Sequence, residues 1–142
     1  MKEDLGRKKE GMLFLLIVGI LAFILAGCTF VPKEKERREA GFVIVTKEHI
    51  PERLKELIEL KKEQMMKLTY MDKDKRYIVI GYGKQKGGGY SIVVKDFYAT
   101  DNALYVDTCL LGPKEKPKKE EVSSCPYLVL QTSEIGLPVV FQ

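Results

Sequence analysis

Hydrophobic and polar positions follow two different patterns along the 142-residue chain. No charged residue occurs from Gly11 to Val31, and runs such as Leu13-Phe14-Leu15-Leu16 and Leu21-Ala22-Phe23-Ile24-Leu25 make this stretch continuously apolar. Beyond Gly41 the apolar residues come instead in short groups separated by turn formers. The β-branched run Gly41–Thr46 predicts a strand. Pro51 suits the first turn of a helix, and Leu54, Leu57, Ile58, Met65 and Leu68 recur at near-helical spacing, predicting one amphipathic helix through that series. Tyr77–Tyr82, apolar on both faces, predicts a central strand after a polar turn at Met71–Arg76. Tyr90–Tyr98 and Ala103–Leu111 flank Ala99-Thr100-Asp101-Asn102 as a hairpin, with Leu104, Val106 and Leu110 on one face. Cys125–Gln131 and Pro138–Phe141 supply two more strands. The order predicts an α+β domain: a mostly antiparallel sheet with one amphipathic helix packed on a face.

Charge changes the reading of the N-terminus. Lys2, Arg7, Lys8 and Lys9 precede the apolar run, giving it the basic and hydrophobic regions of an export signal. The run closes on Leu25, Ala26, Gly27 and Cys28, which resembles the lipobox of bacterial lipoproteins. Small Ala26 and Gly27 admit the backbone to a peptidase, and the Cys28 thiol is the nucleophile that accepts the lipid. The alternative is a transmembrane helix, since the run has the roughly 20 residues a bilayer requires. Basic residues on both sides leave orientation undecided, and both readings place the remainder outside the cytoplasm. The expected organisation is a lipoprotein signal peptide at 1–27, a lipidated N-terminus and charged tether at 28–40, and a folded domain at 41–142. The protein is then lipid-anchored to the cell membrane or outer membrane, facing outside the cytoplasm.

Within the domain, Gly81–Ile92, and above all Gly88-Gly89-Tyr90-Ser91, resembles the family of protease complex subunit PrcB proteins, in which a Gly, a short basic link and Gly-Gly-Tyr-Ser precede a hairpin. The similarity continues through Gly112-Pro113, Pro126-Tyr127 and Val139-Val140-Phe141. It implies an extracytoplasmic accessory domain, in a family named for a lipoprotein subunit of a secreted serine-protease complex. It implies no protease activity and supplies no catalytic residue. The helix lacks tryptophan and a long lysine-rich loop is present, two departures that leave the partner unidentified.

Other candidate chemistry is sparse. A net charge of +4, with acidic and basic residues intermixed, argues against nucleic acid. Gly81, Gly83 and Gly87–Gly89 lead into a strand where a phosphate-binding loop needs a helix, so a turn is the better reading. His49, the lone histidine, precedes Pro51 and reads as a surface or capping group. Asp72 and Asp74 begin like a calcium loop but are interleaved with Lys73 and Lys75, and no short ligand pair starts a zinc site. Neither metal nor cofactor is expected. Cys109 and Cys125 fall on strands expected to form a hairpin around the intervening loop; in an exported protein a disulfide there would stabilise the fold by about 3 kcal/mol. Separate thiols are the alternative. The expected function is a membrane-anchored, non-enzymatic interaction or accessory subunit for an unknown protein partner, with an exported protease the first candidate. The competing function is an envelope protein that uses Lys84, Lys86 and Lys114–Lys119 to contact anionic glycan or phospholipid.

Overall fold

The computed structural model describes residues 9–16, 36–114 and 122–142. The chain divides into two compact units, Met1–Glu34 and Lys35–Gln142. In the first, residues 9–16 are helical, and Leu25, Ala26, Gly27 and Cys28 lie outside the described residues. No helix among the described residues is long and apolar enough to cross a membrane.

The second unit contains β1 (Arg38–Glu39), β2 (Val43–Ile44), a 3-10 turn (Lys47–His49), α1 (Glu52–Lys61), β3 (Met65–Asp72), β4 (Lys75–Tyr82) and β5 (Gln85–Lys86). It continues with β6 (Ser91–Ala99), β7 (Leu104–Leu111), β8 (Ser123–Ser124), β9 (Tyr127–Thr132) and β10 (Val139–Phe141). The architecture is α+β and mostly antiparallel, but it has two four-stranded sheets where one was expected. Sheet A runs β1-β6-β7-β10, sheet B runs β2-β9-β4-β3, and β5 pairs with β8. β10 joins β7 in parallel, opposing Val139 to Leu104 and Phe141 to Val106.

Alternation along β4 explains the layering. Ile78 and Ile80 pack with Leu130 of β9 against Phe97, Ala99, Leu104 and Val106 of sheet A. On the reverse face, Tyr77 and Val79 join Val129 beneath Ile50, Leu54 and Ile58 of the helical segment. Successive strand residues point to opposite faces, so an apolar run in β4 serves two cores at once. The helix therefore covers one face of sheet B and sheet A covers the other.

Three expectations differ from the structure. The helix ends at Lys61, and Met65 and Leu68 belong to strand β3, paired with β4 from Met65–Tyr82 to Asp72–Lys75. Likewise, the Gly112–Ser124 connection closes no hairpin, because β9 pairs with β4 in sheet B whereas β7 lies in sheet A. Cys109 and Cys125 are both free thiols. The hairpin expected at β6 and β7 is present, with a register irregularity between Val94 and Asp96. That bulge restores the inward phase, so Ile92 and Val94 before it face the same way as Phe97 and Ala99 after it. Finally, Arg38 and Glu39, in the segment expected as tether, form β1 against Tyr98 and Ala99, and Ala40 is buried in the core.

Candidate functional site

The motif residues converge where the two sheets open. After β4, the chain leaves sheet B through Gly83, whose φ of 71° brings it against the backbone that follows α1. The Lys84 amide donates to the Glu63 carbonyl there, at 3.0 Å. β5 then pairs with β8, setting Gln85 opposite Ser124 and Lys86 opposite Ser123. The Ser124 hydroxyl donates to the Gly87 carbonyl at 2.7 Å, and the Tyr90 hydroxyl donates to the Lys86 carbonyl at 3.0 Å. Gly89, at φ 81°, approaches the Pro113 ring. A side chain there would strain the backbone and collide with Pro113. The Gly-Gly-Tyr-Ser segment thus folds the crossover between sheets and delivers Tyr90 and Ser91 to the start of β6.

Tyr90, Ser91 and Ile92 then line one wall of a groove of about 250 Å³, with Pro126, Tyr127 and Leu128 opposite and Lys47 at the end. An adjoining recess of about 470 Å³ reaches Gly89, Ser124 and Cys125 and ends on Glu59 and Lys62 of α1. Past the Tyr127 ring, a third hollow of about 530 Å³ lies between the 3-10 turn and α1, lined by Glu48, Glu52, Lys55 and Glu56. Lys47 and Tyr127 are common to all three. Gly88, exposed and with no neighbour close to where its Cβ would be, lines none of them.

Charges around the groove are mostly compensated. Lys62 donates to Glu59, and this hydrogen bond raises the lysine pKa above its ordinary value. Lys55 pairs with Glu52 at 3.3 Å. Glu48 is held below the usual carboxylate range, first by its own backbone amide and then by the Thr46 hydroxyl. The Lys47 ammonium lies 5.8 Å from the Tyr127 ring centroid, within cation-π range. In the sheet-side groove it is the charged lining residue.

His49, the last residue of the 3-10 turn, is exposed and shares a 2.8 Å side-chain hydrogen bond between Nδ1 and the Thr46 hydroxyl, and among the described residues no side chain caps the backbone of the turn or of α1. Asp72 and Asp74 flank the tight turn between β3 and β4, where Lys73 takes a φ of 55°. Cys109 sits opposite Val93 on sheet A, whereas Cys125 borders the recess beside Pro126. Of the basic groups expected to hold an anion, Lys86 lies on β5 and Lys84 just before it. Lys114 is described, and the remainder of that basic run lies outside the described residues.

Lys47, Ile92 and Leu128 were not singled out by sequence. Lys47 lies in a connection without periodicity, and Ile92 and Leu128 read as ordinary strand residues. Only the pairing of β6 and β9 into different sheets brings them together.

No curated protein and no solved structure matches the chain. A family model described as PrcB C-terminal matches residues 76–133, the span from β4 through β9 that builds both walls of the groove. Over that segment the chain is similar to the PrcB C-terminal family.

Proposed function

We propose that this protein is a non-enzymatic accessory subunit of an exported protease complex, held outside the cytoplasm by lipid on Cys28. The observation that carries this reading is the coincidence of the family match with the groove: residues 76–133 include Tyr90, Ser91, Pro126 and Tyr127, which face one another across it. A crossover stiffened by β5 and β8 can present such a surface without moving, which limits the ordering cost of association. The family relation points to a protease complex as the setting, and the leader ending at Cys28 to the membrane as its site.

Crosslinking of the native protein in intact membranes, followed by solubilisation and mass spectrometry, tests the proposal. A discrete exported protease should be recovered in stable proportion and lost when the gene for this chain is deleted and restored when it is returned. Recovery of the chain alone across several growth conditions would sink the accessory role. Proteolytic activity of the purified chain, abolished by a point substitution within it, would sink the non-enzymatic part.

A further inference from the structure

Among the described residues, β6 is largely unpaired along one edge. Its inner neighbour β7 pairs with it along its length, but β1 covers only Tyr98 and Ala99 on the other side. Beyond β1 the chain passes through buried Ala40 to β2 in sheet B, leaving the remainder of the β6 edge behind. Among the described residues, no backbone group outside sheet A bonds to Ser91–Val94. Lys95 interrupts the edge, because the register shifts there and its ammonium pairs with Asp107 at 3.1 Å. Bulges and lysines blunt strand edges against indiscriminate pairing. The blunting stops short of Ser91–Val94, a stretch whose first two residues, Ser91 and Ile92, line the groove.

The facing strand is open as well. β9 is covered by β2 at Leu130 and Gln131, and the Val45 amide donates to the Val129 carbonyl at 2.9 Å, so the cover ends before Tyr127 and Leu128. Among the described residues, the mouth between the sheets is therefore flanked by two unpaired edges and lined by Ile92, Leu128 and Pro126. Its charged group is Lys47. Lys47 also lines the neighbouring hollow with Glu48 and Glu56, but among the described residues no acidic one lines the groove itself.

We propose that Ser91–Val94 of β6 accepts an extended peptide segment of a partner protein as an added strand, with an apolar side chain against Ile92 and Tyr127 and a carboxylate on Lys47. This rests on the accessory-subunit reading and gives that reading a site. Strand addition draws affinity from backbone hydrogen bonds, and specificity from pockets that take alternate side chains. Both ingredients meet here, and the Lys47 cation selects an acidic side chain or chain terminus.

The probe is a fluorescein-labelled heptapeptide of alternating valine and threonine with a free C-terminal carboxylate, titrated into the full-length chain in detergent micelles. Half-saturation is expected at or below about 1 mM. Amidating the terminus, or Lys47→Met, should each weaken binding by about fivefold, the range of an exposed ion pair, with no further loss when combined. Methylating alternate peptide nitrogens removes donors on one edge only. One phase should abolish binding and the other leave it intact. Equal sensitivity to both phases, or no saturation, overturns the proposal.

A photoreactive residue placed at Val93 in cells separates this claim from the broader one, with Leu60, 82% exposed on α1, as the control position. Capture from Val93, mapped to an extended segment bearing a carboxylate, supports the groove. A partner captured only from other positions overturns the groove and leaves the accessory role standing. No partner from any position overturns both.

Discussion

A methyl group added at Gly89 would sit 3.1 Å from the Pro113 Cβ on a backbone at φ 81°, whereas at Gly88 nothing lies within 4 Å. Gly89→Ala should therefore destabilise the protein by about 1–3 kcal/mol, while Gly88→Ala should stay within about 0.5 kcal/mol of wild type. Urea unfolding of both variants gives the comparison, and equal losses would refute the assignment. The glycine run was legible in the sequence as a break before a strand. Its division of labour was not, because Pro113 approaches Gly89 only after the crossover has formed. A second residue-scale effect is electrostatic. Arg38 grips Glu134 through two hydrogen bonds of 2.6 and 2.9 Å, fastening β1 to the loop after β9. That hydrogen bonding holds the Glu134 carboxyl below its ordinary value of 4.5. A depressed folded-state pKa adds stability above the unfolded value, and the gain is lost as pH falls through the folded value. Glu134→Gln should thus lower the melting temperature at neutral pH and flatten its decline below pH 4.5. Parallel decline in both proteins would show that the pair contributes nothing.

Among the elements, α1 and β3 show where a pattern can be read two ways. Leu54 and Ile58 are one helical turn apart, and Met65 and Leu68 extend that spacing closely enough to suggest one long helix. Met66, Leu68 and Tyr70 equally satisfy the alternation of a strand, and these three pack with the helix on the outer face of sheet B. Pairing decides between them: an eight-residue ladder with β4 satisfies the backbone along that side of β3, which a continued helix would leave unpaired on β4. β4 itself was legible as a central strand from its two apolar faces. The second sheet was not, since a single-sheet reading assigned only the helix as cover and gave Ile78 and Ile80 no partner layer. Leu54 is fully buried between α1 and sheet B. Leu54→Ala should cost about 2–5 kcal/mol, the range for a buried leucine. Leu60→Ala, on the exposed face of the same helix, should cost under about 0.5 kcal/mol. Chemical denaturation distinguishes the two, and a small loss at Leu54 would mean that α1 does not close the outer core.

At the scale of the whole molecule, the groove and the leader make separate demands on where the protein works. Sheets A and B need no membrane to pack, since their cores are built from residues within 40–141. In the proposed reading attachment rests on lipid at Cys28, and that chemistry is open to direct test. If Cys28 is acylated and becomes the first residue, the mature chain lacks residues 1–27 and gains the mass of its acyl groups. At about 0.8 kcal/mol per buried methylene, two or three chains hold it stably at the bilayer. Cys28→Ser removes the thiol that forms the thioether, so the leader should remain and palmitate labelling should disappear. Membrane association alone cannot discriminate, because an uncleaved apolar leader would also stay inserted. Intact mass can: an acylated chain beginning at residue 28 requires the lipoprotein route, whereas unmodified wild-type protein retaining residues 1–27 requires a membrane-spanning or cytosolic one. Because the fold in 36–142 does not include Cys28, the serine variant should keep the wild-type urea midpoint, so any loss of partner capture from cells would report lost anchoring and not lost folding.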